Sequence, residues 1–97
     1  MAAAGDPPPL FMFYVYIIKS RKDGKLYIGQ TSDLRRRIKE HNSGQTRSIK
    51  NRRPFFLVYY EAYLDFKDAK TRELKLKKYK NSYSELKKRL PHSLTKI

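Results

Sequence analysis

The sequence predicts an α+β fold in which a small three-stranded antiparallel sheet is flanked by helices, in the order ββαβαα. Three features point to it. Two short runs of aromatic and β-branched residues flank Asp23-Gly24, a third run spans Phe55 to Ala62, and helix-like stretches with capping residues follow the second and third runs.

Phe13 to Ile18 and Lys25 to Gln30 are the first two strands, joined by a hairpin at Asp23-Gly24. With a two-residue turn, Tyr27 faces Ser20 and Tyr16 faces Thr31, so Tyr16 and Tyr27 share one sheet face. A longer loop starting near Ser20 is the alternative, and a slip of one residue would separate the tyrosines. Thr31 or Ser32 can cap a helix over residues 33–42, with Asp33 in its first turn and Gly44 at its stop. Leu34, Arg37, Ile38 and His41 form its inward stripe, whereas Arg35, Arg36 and Lys39 project elsewhere. Residues 43–54 lack apolar periodicity and are expected to form a basic loop. The near-continuous apolar run from Phe55 to Ala62 suggests a central strand buried on two sides. Asp65 can cap a second helix over residues 66–79, and Ser82 with Glu85 has capping-box spacing for a third that ends before Pro91.

A chain of 97 residues has room for one small core. Residues 1–11 read as a disordered N-terminal tail, 12–91 as the folded domain and 92–97 as a C-terminal tail. The 23 Lys and Arg residues against 9 acidic ones give a formal net charge of +14, so a polyanion is the natural partner. No apolar run approaches the roughly 20 residues of a membrane span, which favours nucleic acid over lipid. The absence of cysteine excludes disulfides and thiolate metal sites, and with no export signal in the opening residues a cytoplasmic protein is expected.

Glu73 lies on a helical stripe with Ala69 and Leu76, so its carboxylate either points inward or pairs with Lys77 four residues on. The segment from Lys67 to Arg89 holds ten basic and three acidic residues, leaving an inward Glu73 few competitors as a metal ligand. A lone hard carboxylate suits Mg²⁺ held mainly through water and substrate phosphate. Arg37 offers a planar, permanently charged fork to phosphate oxygens, or else snorkels past Ile38. His41 sits one turn later, as a proton-transfer group or a structural histidine. Arg35, Arg47, Lys50, Arg52, Arg53, Lys77 and Lys80 are expected to track phosphates.

The order Tyr14-Val15-Tyr16, Tyr27-Ile28-Gly29, Arg37 with His41, then a helical Glu73, resembles the GIY-YIG endonuclease family from Met12 onward. In particular it is similar to small single-domain bacterial members related to the nuclease module of the excinuclease C subunit. The resemblance implies a three-stranded antiparallel sheet flanked by helices. It also implies Mg²⁺-dependent (or Mn²⁺-dependent) DNA phosphodiester hydrolysis, with 5′-phosphate and 3′-hydroxyl ends, in DNA repair or processing. Catalytic roles fall to Tyr16, Tyr27, Arg37 and His41, metal binding to Glu73, and a structural role to Gly29. Tyr14 stands where the first motif has glycine, Gln30 where some relatives have lysine, and Asn81 is the nearest match to an asparagine after the glutamate helix. Either tyrosine can serve as general base. The competing expectation is a noncatalytic basic module binding DNA or RNA on the same fold. Branched, flapped and single-stranded DNA are all open as partners, and so is the oligomeric state.

Overall fold

Phe13–Ser20 (β1) buries side chains on both of its faces, since Val15, Tyr16, Ile17 and Ile18 are each at most 1% exposed. A strand covered on both sides belongs in the middle of a sheet. The computed structural model describes residues 11–95. The sheet order is β2-β1-β3, with Leu26–Thr31 (β2) and Phe55–Tyr63 (β3) both antiparallel to β1. Residues 1–10 and 96–97 of the expected tails lie outside the described residues. Within 92–95, the Leu94 carbonyl accepts a hydrogen bond from Lys19 at 2.8 Å.

Between β2 and β3 come Leu34–Asn42 (α1) and a 3₁₀ helix over Arg47–Arg52. Phe66–Lys78 (α2) and Lys80–Arg89 (α3) follow β3. The expected ββαβαα order and antiparallel sheet are therefore present. Val15 and Ile17 pack against Ala69, Leu76 and Leu86 of α2 and α3. On the opposite face Tyr16 and Ile18 pack with Ile49 and Phe55, flanked by Tyr27, Leu34 and Ile38. Each such aliphatic side chain contributes roughly 2 kcal/mol by leaving water.

Several local expectations are corrected. β3 is an edge strand, paired with β1 alone among the described strands. Its tyrosines cover apolar surface while Tyr59 and Tyr63 keep their hydroxyls on Glu61, giving an apolar-looking run without two-sided burial. The hairpin has no two-residue turn. Ser20 Oγ accepts the amides of Lys22 and Asp23 and donates to the Arg52 carbonyl, and the chain turns through Gly24 at φ +70°. Tyr16 therefore faces Gly29, and Tyr27 faces Ile18. This register differs by two residues from the expected one, and a two-residue shift preserves side-chain direction, so the tyrosines still share a face.

Asp33, rather than Thr31 or Ser32, caps α1 by accepting the Arg36 amide, while Thr31 Oγ1 accepts the Asp33 amide. The basic loop contains a 3₁₀ turn pinned by Ile49, which is 4% exposed. Asp65 caps α2 as expected, but Ser82 lies within α3, which starts directly after Tyr79 without a side-chain cap.

Across the α2 face, Glu61 of β3 accepts both guanidinium arms of Arg72, at 2.9 and 3.0 Å, and the hydroxyls of Tyr59 and Tyr63. Burial alone would raise its proton affinity. The bonds from Arg72, Tyr63 and Tyr59 outweigh that and hold the carboxyl below its ordinary range. This clamp joins α2 to the edge strand.

Candidate active site

Tyr16 reaches its place because β2 carries no side chain opposite it. The ring lies across Gly29, where a Cβ would stand 2.5 Å from Tyr16 Cζ and 2.9 Å from Cε2. Its hydroxyl meets His41 Nε2 at 2.7 Å, and Thr46 Oγ1 meets His41 Nδ1 at 2.7 Å. His41 is fully buried at the last turn of α1, and Thr46 returns beside it after Gly44 reverses the chain at φ +86°. Tyr27 completes the wall, its ring edge-on to the imidazole at 5.3 Å.

Burial pushes the Tyr16 phenol up to about 12, against the pull of the Arg37 guanidinium, and the charges of Tyr27 and Glu73 add to the rise. Burial, reinforced by Arg37, pushes His41 down to about 4. At neutral pH the imidazole is thus uncharged, with one nitrogen donating and the other accepting. Either Tyr16 donates to Nε2 while Nδ1 donates to Thr46, or both bonds run the other way. Both arrangements satisfy every group, so the Tyr16–His41–Thr46 chain can pass a proton without leaving a buried atom unpaired.

Arg37 is anchored by Glu40, its Nη1 lying 3.0 Å from Oε1, and its side chain remains about one-third exposed. Glu73 points inward at 7% exposure and also pairs, with Lys70 at 3.3 Å and Lys77 at 3.1 Å. Both alternatives for this glutamate are therefore realised together. The Lys77 ammonium also stands 5.9 Å from the Tyr27 ring centroid, which links α2 to the tyrosine wall.

Tyr16, Tyr27, Gly29, Arg37 and His41 thus converge, with Glu73 within electrostatic reach of Tyr16. Asn81 lines a separate surface cleft with Arg72, Glu85 and Arg89. Arg52 is engaged elsewhere, holding Asp23 at 2.8 Å and stacking over Phe55. Arg53 donates to the Lys50 carbonyl at 2.6 Å but stays exposed, as do Arg35, Arg47, Lys50, Lys77 and Lys80. Sequence reasoning missed Thr46 and the anchoring Glu40. Glu40 carried a signal, since it lies three residues from Arg37 on one helix. Thr46 carried none, because it sits beyond the helix stop.

The buried neutral histidine has a measurable consequence. An unfolded histidine binds its proton near ~6.5, whereas folded His41 does so only near about 4. Between those values the unfolded chain holds more protons, so stability falls as pH drops through that window, on the order of 3 kcal/mol in all. Denaturant unfolding at pH 7 and pH 4.5 is expected to show this loss in the native sequence and a smaller one in His41→Gln. Equal losses in both would refute the assignment.

Residues 12–89 match the family described as the GIY-YIG catalytic domain. The chain is 44% identical over 68 residues to the UPF0213 protein CPE1444 of Clostridium perfringens, covering 69% of this chain and 72% of that one. It is 43% identical over 67 residues to a UPF0213 protein of Staphylococcus aureus strain Mu3, covering 68% and 80%. The solution structure of the UPF0213 protein BH0048 from Bacillus halodurans superposes with a TM-score of 0.52 at 34% identity, covering 87% of this chain and 93% of that one. The match spans both tyrosine motifs, the α1 pair and Glu73, and on it the chain belongs to the GIY-YIG family of nucleases.

Proposed function

We propose that the protein is a metal-dependent endonuclease that hydrolyses DNA phosphodiester bonds at the Tyr16, Arg37, His41 and Glu73 cluster. The observation that carries this reading is the 2.7 Å bond between the Tyr16 hydroxyl and His41 Nε2. A phenol near 12 is a poor base by itself. With an uncharged imidazole behind it, Tyr16 can take a proton from the attacking water as it passes its own to Nε2. The Nδ1 proton moves in the same step to Thr46 Oγ1 and the Thr46 hydroxyl proton moves out to solvent, so His41 never carries a second proton. Arg37, held from behind by Glu40, presents its remaining N–H groups to the phosphate and stabilises the charge that grows there. Tyr27 limits how the imidazole and the incoming phosphate sit.

Glu73 fits a single Mg²⁺ that keeps most of its waters, since among the described residues no group of three or more His, Cys, Asp or Glu could form a protein cage. Lys70 and Lys77 must swing off the carboxylate when a cation binds. When bound, the metal would supply charge to a nonbridging oxygen and to the leaving 3′ oxygen. The lysine-occupied carboxylate equally favours a second reading, a noncatalytic nucleic-acid-binding module.

Incubation with flapped, branched, single-stranded and supercoiled DNA plus Mg²⁺ or Mn²⁺ separates the two. Cleavage that disappears in Glu73→Gln and Arg37→Ala is expected. Folded protein that binds all four substrates and cuts none is the noncatalytic module, and undiminished cleavage by Glu73→Gln would remove the metal assignment.

A further inference from the structure

Beside the cluster lies a cleft of about 520 Å³ whose walls combine aromatic rings with arginines. Tyr14 and Tyr60 form one side, their rings 5.7 Å apart and edge to face, and Tyr60 keeps 50% of its surface exposed. Leu34, Arg35 and Arg36 of α1 form the other, with Phe11 at the rim. Asp33 also borders the cleft, but its Oδ1 is engaged by the Arg36 amide. Tyr14 precedes Tyr16 by two residues on the same strand face, so their backbones are about 7 Å apart. Arg36 is the helical neighbour of Arg37. The cleft therefore opens next to the point where a scissile phosphate would rest.

We infer that this cleft is a subsite for an unpaired nucleobase flanking the scissile phosphate, so that the substrate class is DNA with a single-stranded or extruded nucleotide. The inference rests on the nuclease reading for its location and on the cleft's own chemistry for its occupant. An exposed ring beside a second aromatic offers a stacking platform that every base can use. Arg35, exposed on the opposite wall, meets the phosphate that a stacked nucleotide carries with it. A duplex keeps its bases stacked on one another and would gain little from such a cleft.

The test measures binding without metal, so that it stands apart from cleavage. A single-stranded oligonucleotide carrying 2-aminopurine and its duplex form are titrated with native protein, Tyr60→Ala, Tyr60→Phe and Arg35→Ala, each over the same series of salt concentrations. Tyr60 is half exposed on an edge strand, and thermal melting of each variant checks its folding. Native protein is expected to quench the single-stranded probe. Tyr60→Ala is expected to lose that quenching and to bind the single strand about 10-fold more weakly, with duplex binding unchanged and Tyr60→Phe close to native. Arg35→Ala is expected to reduce the salt dependence of binding to the single strand. Equal weakening on single strand and duplex would overturn the inference, as would tighter binding of the RNA of the same sequence. A change of oligomeric state in Tyr60→Ala by sedimentation would instead make the cleft a contact between copies. Native protein that cuts nothing but shows the expected binding pattern defeats the nuclease reading alone.

Discussion

Gly29→Ala is expected to lower stability by a few kcal/mol and to reduce cleavage by about 100-fold or more. The demand for glycine here is steric, since among the described residues only Gly24 and Gly44 have positive φ. A methyl at residue 29 would occupy space already taken by the Tyr16 ring. That ring is 1% exposed and has nowhere to retreat. Overpacking costs about 1–3 kcal/mol, and a displaced phenol leaves His41 Nε2 buried without its partner, costing a further ~1–3 kcal/mol. A shift of about 1 Å at a reacting group reduces rate by roughly 100-fold. Denaturant midpoints and single-turnover cleavage of the same preparation check both effects. A Gly29→Ala protein of native stability and native rate would mean that Tyr16 has room the structure denies it.

Tyr16→Phe isolates the hydroxyl from the ring. It is expected to reduce the chemical step by about 100- to 10,000-fold, the range for loss of a positioned proton acceptor, while DNA affinity measured without metal stays within about twofold. A fall in stability of roughly 1–3 kcal/mol should accompany it, because the imidazole loses a buried partner. Rates are therefore compared well below the variant's melting temperature. If Tyr16→Phe cuts at the native rate, the proton path runs through Tyr27, whose ring stands edge-on to the same histidine at 5.3 Å.

The elements that could be read from the sequence are those specified by neighbours in the chain. Asp65 caps α2 because its carboxylate reaches an amide two residues on, and the α1 stripe singles out Arg37 and His41 because helical spacing is regular. The shared face of Tyr16 and Tyr27 was legible despite a wrong register, since only parity matters to side-chain direction. What stayed hidden depends on contacts between distant segments. Arg52 looks like any exposed basic loop residue until Asp23 and Phe55 are beside it. Thr46 is an ordinary loop threonine until the reversal at Gly44 brings it to His41 Nδ1. β3 looks central because aromatic residues are counted as buried, and only the pairing partners reveal an edge.

The Glu61 clamp lies on the far side of the sheet from Tyr16, yet it sets the azimuth of α2 about its own axis. Arg72 and Glu73 are consecutive, so their side chains diverge by the fixed angular step of a helix. Pinning the first to β3 aims the second. The buried carboxylate of Glu73 is thus steered by a pair of tyrosines and an arginine on the opposite face of the sheet from Tyr16, and the direction of its charge is decided at the edge strand.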